Sequence, residues 1–589
     1  MKVLLLHPED KIPSGRFAKG WDLVADFGRA PASTYEKWGR ETGCRVISVY
    51  DFAEGIEDLR RMKDLLRAGM GSMVDCWGVD WWDVLSVMFY EDLQQLILLQ
   101  RLAKEVGLNA ELHTSRPDFR ASALQAMLGG KLISCEGRFG KLDRWIRHHS
   151  EASAHLNGAQ IVQVLQDKFD PQHMIRRRLV QRRRVSSPHP TVLLPSAYVN
   201  VSRAAISYAQ VLPEDHFLLV YTRRNARLVA FPSNVQSAPL DAYFKPVDRV
   251  ERQALLDSWR LLKPKLVSGA EEFKILEACG GFNKVPGLLN WGTSIRDAWN
   301  HVFDSEDIQG CLSADDSNPY TRIPLVLARK RGIPTLACHH GALDYFMAVK
   351  TQYADFYLAK TAMEQDYLVR ICGLDPEKIV ASGREPAASV DLATTPREKK
   401  WFVFFTEPYQ AQGRRIQEVY RELFPLLFSL AENCGLQLVF KLHPFESVRG
   451  YRHLLKQVMG AEKSKQAQVV GGFLSPDDWQ QIRFAMTVQS TVALECVKLG
   501  IPVFLCAWLG SSYSGYLQQY EKFGIGRLLK APGEICKIPD LLKTYAGPAA
   551  PEEQWQSISS ERLRNLLIRA PESSTQPATK ASGSTNKLR

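Results

Sequence analysis

Along most of the chain, short runs of β-branched and aromatic residues alternate with longer stretches in which apolar residues recur every three to four positions. That is the pattern of βαβ units and a parallel sheet. TVLLPSAYVN (191–200) predicts a buried strand running into a loop, and a helix-like SRAAISYAQVL follows. Strands are predicted at HFLLVYT (216–222), DIQGCLSADD (307–316), IPTLACHHG, ADFYLAK and KIVASG, with helices through IPLVLARKRG and TAMEQDYLVRICG. DLATTPREKK (391–400) is polar and carries a proline, the signature of a linker. The pattern then restarts with strands WFVFFTE, QLVFKLHP, AQVVGG, AMTVQS and IPVFLC, separated by helices; SPDDWQQIR opens with Ser475 as N-cap and Pro476 at the first helical position.

Two segments echo each other. LARKRGIPTLACHHG (327–341) and ECVKLGIPVFLCAW (495–508) both read as a helix, a terminal glycine, Ile-Pro and a buried strand. Gly332 and Gly500 suit the left-handed position that stops a helix. The shared logic predicts two doubly wound domains, 191–390 and 391–545. Residues 1–190 form an additional α/β region, with strands expected at KVLLLHPED, CRVISVYDF and LNAELHTSR. The Trp-rich CWGVDWWDVLSVMFY (76–90) reads as buried core. Residues 546–589 are expected to hold a helix and a disordered tail rich in Ser, Thr, Pro and Ala.

Composition narrows the class. The 589 residues are 45% hydrophobic and 24% charged, an ordinary globular balance that excludes low-hydrophobicity disorder and collagen-like repeats. No stretch approaches the roughly 20 apolar residues of a membrane span, and the start reads as a strand rather than a signal peptide, so the expected location is cytoplasmic. The 11 cysteines are scattered and never form C-x-x-C, which argues against a disulfide framework or a Cys-rich zinc site. The formal charge is +11, densest at Arg176, Arg177, Arg178, Arg182, Arg183 and Arg184. This cluster reads first as a solvated helix face, next as a patch for anionic membrane headgroups at the inner face of the membrane, and last as a nucleic-acid site, for which no aromatic-basic motif is present.

In doubly wound sheets, ligands gather at the carboxyl ends of the strands. The polar residues predicted there are Asp315-Asp316, His339-His340-Gly341, Glu407, Lys441 with His443-Pro444, and Gln489-Ser490-Thr491. Ser490 or Thr491 would cap a helix whose free amides attract an anion, although capping alone explains such residues. Lys441 and His443, two apart on a strand, share a face and suit a leaving phosphate; a surface lysine and a hydrogen-bonded histidine are the plainer reading. His340 titrates near neutrality and is a candidate base, with Asp315 and Asp316 as rivals.

Two doubly wound domains joined near residue 390, with HHG late in the first and KLHP then QST in the second, resemble the GT-B glycosyltransferase superfamily. The likeness is to surface-polysaccharide enzymes: capsule-type Kdo transferases, polysialyltransferases and CDP-glycerol glycerophosphotransferases. It covers roughly residues 190–545. The resemblance implies that His443-Pro444 and Ser490-Thr491 bind the phosphate of a cytidine nucleotide, with Lys441, Glu407 and Glu495 completing the donor side. It implies a base at Asp315 or Asp316, where the family's Asp-Asp-Gly is followed here by Ser317, or at His340 of the HG pair. No D-x-D triplet is present, which favours a metal-independent reaction. The expected activity is transfer of a sugar from a nucleotide-sugar, CMP- or CDP-linked in this comparison, to a polysaccharide or lipid-linked acceptor, with no further cofactor. The alternatives are a non-hydrolysing nucleotide-sugar 2-epimerase and a non-catalytic binding protein on the same scaffold.

Overall fold

The computed structural model describes residues 1–10, 20–134, 190–227, 230–244, 249–341, 343, 353–383, 398–407, 413–443, 446–510, 516–544 and 557–568. The arginine cluster at 176–184, Pro444, the greater part of the 391–400 linker and the final residues lie outside them.

Three all-parallel sheets carry the chain. The N-terminal sheet holds β1 (Lys2–Leu6), β2 (Leu23–Asp26), β3 (Arg45–Ser48), β4 (Glu111–Thr114) and β5 (Lys131–Ser134) in the order 3-2-1-4-5. The middle sheet holds β6 (Thr191–Ser196), β7 (His216–Tyr221), β8 (Val235–Pro239), β9 (Ile308–Ser313), β10 (Thr335–Ala337), β11 (Phe356–Ala359) and β12 (Ile379–Ala381), ordered β12-β11-β10-β9-β6-β7-β8. The third sheet holds β13 (Trp401–Phe405), β14 (Gln437–Lys441), β15 (Gln468–Val470), β16 (Ile482–Thr487), β17 (Val503–Cys506) and β18 (Arg527–Leu529), ordered β15-β14-β13-β16-β17-β18. All three reverse direction beside their first strand, which is the doubly wound topology. The two Rossmann-like domains expected of a GT-B scaffold are therefore present, and the extra N-terminal region is a third domain of the same type.

The strands are apolar throughout because helices cover both faces of a parallel sheet. β6, TVLLPS, is buried at every position, and four of the five residues of β13 are buried. Gly332 and Gly500 end their helices at φ of 70° each, as the echoed segments predict. Ser475 and Asp478 form a reciprocal capping box at the start of the helix Pro476–Gln480.

Helices Arg249–Gly269, Glu271–Ala278 and Val285–Ser305, inserted between β8 and β9, pack against the N-terminal domain. Trp81 and Trp82 are buried there, and the Trp82 ring stacks on Trp259 at 6.1 Å. Arg61 forks onto Glu272 at 3.0 and 2.7 Å. Buried Arg296 bonds Asp75 at 2.6 Å and Glu251 at 2.6 and 2.7 Å. The N-terminal and third domains meet elsewhere. Arg415, at the start of helix Ile416–Cys434, forks onto Asp26 at 2.7 Å through both Nε and Nη2 and donates to the carbonyls of His7, Pro8 and Asp10. This guanidinium fills the carboxyl end of the N-terminal sheet. At the other end of the chain, helix Ser560–Leu567 crosses back onto the middle sheet, burying Leu563 and Leu567 among Val192, Leu312 and Leu336. Among the described residues, no helix is long and apolar enough to cross a membrane.

Candidate functional site

β6, β9, β10 and β11 bring one cluster to the carboxyl edge of the middle sheet. After β10 the chain runs Cys338-His339-His340-Gly341. His340 Nδ1 lies 3.3 Å from the Ala314 carbonyl and Nε2 lies 2.5 Å from the Tyr198 hydroxyl. A carbonyl only accepts, so the first contact fixes the proton on Nδ1, and the Tyr198 hydroxyl donates to the Nε2 lone pair. The two rings meet edge-on at 5.0 Å. Burial, and then the charge of Asp315, hold the Tyr198 phenol well above its ordinary range, so it stays protonated and able to donate.

The two aspartates are committed locally. Asp315 accepts from the Ser317 amide at 2.8 Å, from the Ser317 hydroxyl, and from Asn318 Nδ2 at 2.8 Å, which shapes the turn into helix Pro319–Lys330. Asp316 is fully buried and accepts from Tyr357 at 2.9 Å, while its carbonyl accepts from buried Arg322 at 2.9 Å. Donor atoms of Asp315, His339 and His340 all lie within 4.8 Å of one another, close enough to converge on a transition-metal ion. Both nitrogens of His340 and both oxygens of Asp315 are already engaged, however, so metal binding would have to break those bonds.

The facing cluster sits on the third sheet. Glu407, just past β13, is buried; its Oε1 accepts from the Gln489 amide at 2.6 Å and Thr487 Oγ1 at 3.2 Å. It clamps the gap between β13 and β16, the position where the strand order reverses. Lys441 Nζ donates to the Leu442 carbonyl at 2.8 Å. Desolvation lowers Lys441 to about 8 against the pull of nearby Glu495. Desolvation, and then the Lys441 charge, lower His443 to about 4, so its imidazole is neutral at pH 7. The His443 amide donates to Thr406 Oγ1 and to Glu446 Oε2, each at 3.0 Å. The helix after QST is short, Val492–Lys498, and its first amide bonds Ser490 Oγ at 3.3 Å; Thr491 makes no capping bond. An anion here would meet the hydroxyls and Lys441 more than a helix dipole.

One further residue belongs to each wall. Lys360, at the end of β11, reaches the Gly341 carbonyl at 3.4 Å, beside His340. Tyr520, in helix Tyr516–Lys522, donates to the Gln489 carbonyl at 3.5 Å and lies within electrostatic reach of both Lys360 and Glu407. Arg203, on helix Val199–Ala209 of the middle domain, lies 4.4 Å over the Phe473 ring of the third domain, so the carboxyl edges of the two sheets line one cleft. Sequence reading placed His340, Lys441, His443, Glu407, Glu495, Ser490 and Thr491 on its walls and missed Tyr198, Lys360, Thr406, Glu446 and Tyr520.

Burial raises Glu446 to about 7, opposed by its bond from Thr406. The folded state therefore holds that proton more tightly than the unfolded chain, and the resulting stability is lost as pH rises from about 4.5 through 7. His443 works in the opposite sense, adding stability as pH climbs through 4 to 6.5, so the wild-type slope is flattened. Glu446→Gln removes only the first effect. Relative to wild type, this variant should gain about 1–3 kcal/mol between pH 5 and pH 8 in denaturant titrations. Parallel pH profiles for the two proteins would show that Glu446 does not carry the buried proton.

No protein-family model and no curated protein matches the chain. Solved structures with a similar arrangement include the S. aureus MnaA–UDP co-structure, 12% identical over 64% of this chain and 95% of that one, with a TM-score of 0.42. Methanocaldococcus jannaschii UDP-GlcNAc 2-epimerase in complex with UDP-GlcNAc and UDP is 10% identical over 64% and 99%, with a TM-score of 0.41. The wall teichoic acid polymerase TagF is 12% identical over 70% and 94%, with a TM-score of 0.35.

Proposed function

We propose that the chain is a GT-B glycosyltransferase that moves a sugar from a nucleotide-activated donor to a cell-surface polysaccharide or lipid-linked acceptor. The observation that supports this most is the His340 imidazole, its Nδ1 proton fixed by the Ala314 carbonyl and its Nε2 lone pair turned toward Tyr198. An acceptor hydroxyl that displaces the Tyr198 hydroxyl meets that lone pair. Its proton passes to Nε2 as the oxygen bonds to the anomeric carbon, and the breaking bond leaves its electron pair on the nucleotide phosphate. Asp316 is sealed in the core and Asp315 is held by Ser317 and Asn318, so His340 is the favoured base of the three.

On the third-domain wall, Lys441, His443, Ser490 and Thr491 receive the leaving phosphate. Neutral His443 contributes an N–H donor, and a phosphate dianion beside Lys441 draws its proton back, raising the lysine from about 8. Glu407 positions the Gln489 backbone, and Glu495 balances Lys441. A cytidine-linked donor follows from the resemblance of His443-Pro444 and Ser490-Thr491. Contact of the 176–184 arginines with an anionic membrane would bring a lipid-linked acceptor to the cleft.

The test is product analysis of the purified chain with CMP-, CDP-, UDP-, GDP- and dTDP-sugars, with and without a lipid-linked or polysaccharide acceptor. Acceptor-dependent release of free nucleotide is the expected result. An isomerised donor with no nucleotide released would replace transfer by 2-epimerisation. Tight donor binding with neither product would leave a binding protein.

A further inference from the structure

The contact between the N-terminal and middle domains continues inward as far as the His340 cluster. Helix Trp81–Ser86 of the N-terminal domain packs against helices Val285–Ser305 and Pro319–Lys330 of the middle domain. From it, half-buried Asp83 offers two acceptors. Its carboxylate accepts from the Tyr353 hydroxyl, and its carbonyl accepts from Arg322 Nη1 at 2.9 Å. Arg322 is fully buried; its Nε donates to the Asp316 carbonyl at 2.9 Å and its guanidinium lies 4.1 Å over the Tyr353 ring. The Tyr353 amide donates to the Tyr357 hydroxyl at 3.3 Å, and that hydroxyl donates to Asp316 Oδ2 at 2.9 Å. The charges of Asp83 and Asp316 both act on this one buried cation, the compensation a charge needs in a low-dielectric interior. Both routes from Asp83 end on Asp316, two residues from the Ala314 carbonyl that accepts from His340 Nδ1.

We infer that Asp83 is a positioning residue for His340: through Tyr353 and Arg322, the N-terminal domain holds the 314–316 segment that orients the imidazole. That His340 is the base rests on the transfer reading; the positioning itself does not. Other joints of the same interface stop short of this segment, since Arg61–Glu272 and Arg296–Glu251 end on the inserted helices. Tyr353 is the coupling element, because it meets Asp83 through its hydroxyl, Arg322 through its ring and Tyr357 through its amide. Without the Asp83 acceptor the hydroxyl is released, and the Asp316 backbone and the nearby Ala314 carbonyl shift. A weaker carbonyl contact lets the imidazole proton move from Nδ1 to Nε2, where it blocks the lone pair.

The experiment is nitrogen-15 NMR of the full chain labelled at histidine, with the His340 ring signals assigned by their loss in His340→Asn. Wild type should show the proton on Nδ1. Tyr353→Phe and Asp83→Leu should each move these signals and raise the Nε2–H fraction. Asp83→Asn keeps an oxygen acceptor for Tyr353 and should restore most of the wild-type pattern. Arg61→Met loosens the same interface elsewhere and should leave the signals unchanged. Circular dichroism and melting check the fold of every variant, and the near-isosteric Tyr353→Phe decides the matter if Asp83→Leu does not fold. In turnover, Tyr353→Phe should lower kcat about 10–100-fold with KM for the donor within about twofold. His340 signals unmoved by Tyr353→Phe, moved as far by Arg61→Met, or not restored by Asp83→Asn would each overturn the positioning. So would unchanged kcat in Tyr353→Phe where His340→Asn is inactive. The NMR readout needs neither donor nor acceptor, so it stands even if His340→Asn keeps its turnover and the transfer reading falls.

Discussion

Replacing Arg415 by Met is expected to lower stability by about 3–5 kcal/mol, because it leaves the Asp26 carboxylate charged and enclosed. Asp26 is fully buried, and Arg415 is the cation that forks onto it at 2.7 Å. The same guanidinium satisfies three backbone carbonyls at the carboxyl edge of the N-terminal sheet, so its loss also strands acceptors. The damage should appear first at the joint between the N-terminal and third domains. Differential scanning calorimetry should show an early transition, and limited proteolysis should release the N-terminal domain. Arg421→Met, on the same helix with a largely exposed side chain, should change stability by no more than about 0.5 kcal/mol. Double replacement, Asp26→Leu with Arg415→Met, should cost less than the two single changes added together. An Arg415→Met protein as stable as the Arg421→Met control would show that the pair holds nothing together.

The second large effect concerns His340. Its replacement by Asn keeps a side-chain amide near the Ala314 carbonyl but removes the basic nitrogen, so on the proposed transfer reading kcat should fall about 10²–10⁴-fold with the fold intact. Tyr198→Phe removes only the hydroxyl that occupies the lone pair, and its effect should stay within about tenfold. If the two variants lose activity equally, the tyrosine relays the proton; if His340→Asn keeps kcat within about tenfold, the base lies elsewhere. Circular dichroism and melting profiles matching wild type are the control for both.

The sheets were legible where the chain writes them as continuous apolar runs. TVLLPS and WFVFF are buried on both faces, so their composition alone marks central strands. β2, β5, β8 and β18 were not read as strands. Each is only three to five residues long, and β5, β8 and β18 lie at sheet edges, so periodicity had little to act on. At the site, looking for polar residues at strand ends located His340, Lys441, His443 and Glu407. The partners that set their behaviour escaped because the fold supplies them from distant stretches: Tyr198 is 142 residues from His340. Glu407 faces inward across the β13–β16 gap, which only three-dimensional pairing reveals. Arg415 did leave a trace. A cation at the start of a helix opposes the helix dipole, and such a residue implies a partner elsewhere.

The returning C-terminal helix has a consequence for the order in which the protein can be made. Gly310 in β9 has no side chain where the helix end arrives; a Cβ there would sit 2.2 Å from the Leu567 carbonyl oxygen. The apolar face formed by Val192, Leu312 and Leu336 is completed by Leu563 and Leu567. During synthesis that face emerges well before its cover, with the whole third domain translated in between. The middle domain therefore waits, partly uncovered, until Ser560–Leu567 has left the ribosome, and in that interval it offers the kind of surface that chaperones bind. The N-terminal and third domains face no such delay from this helix.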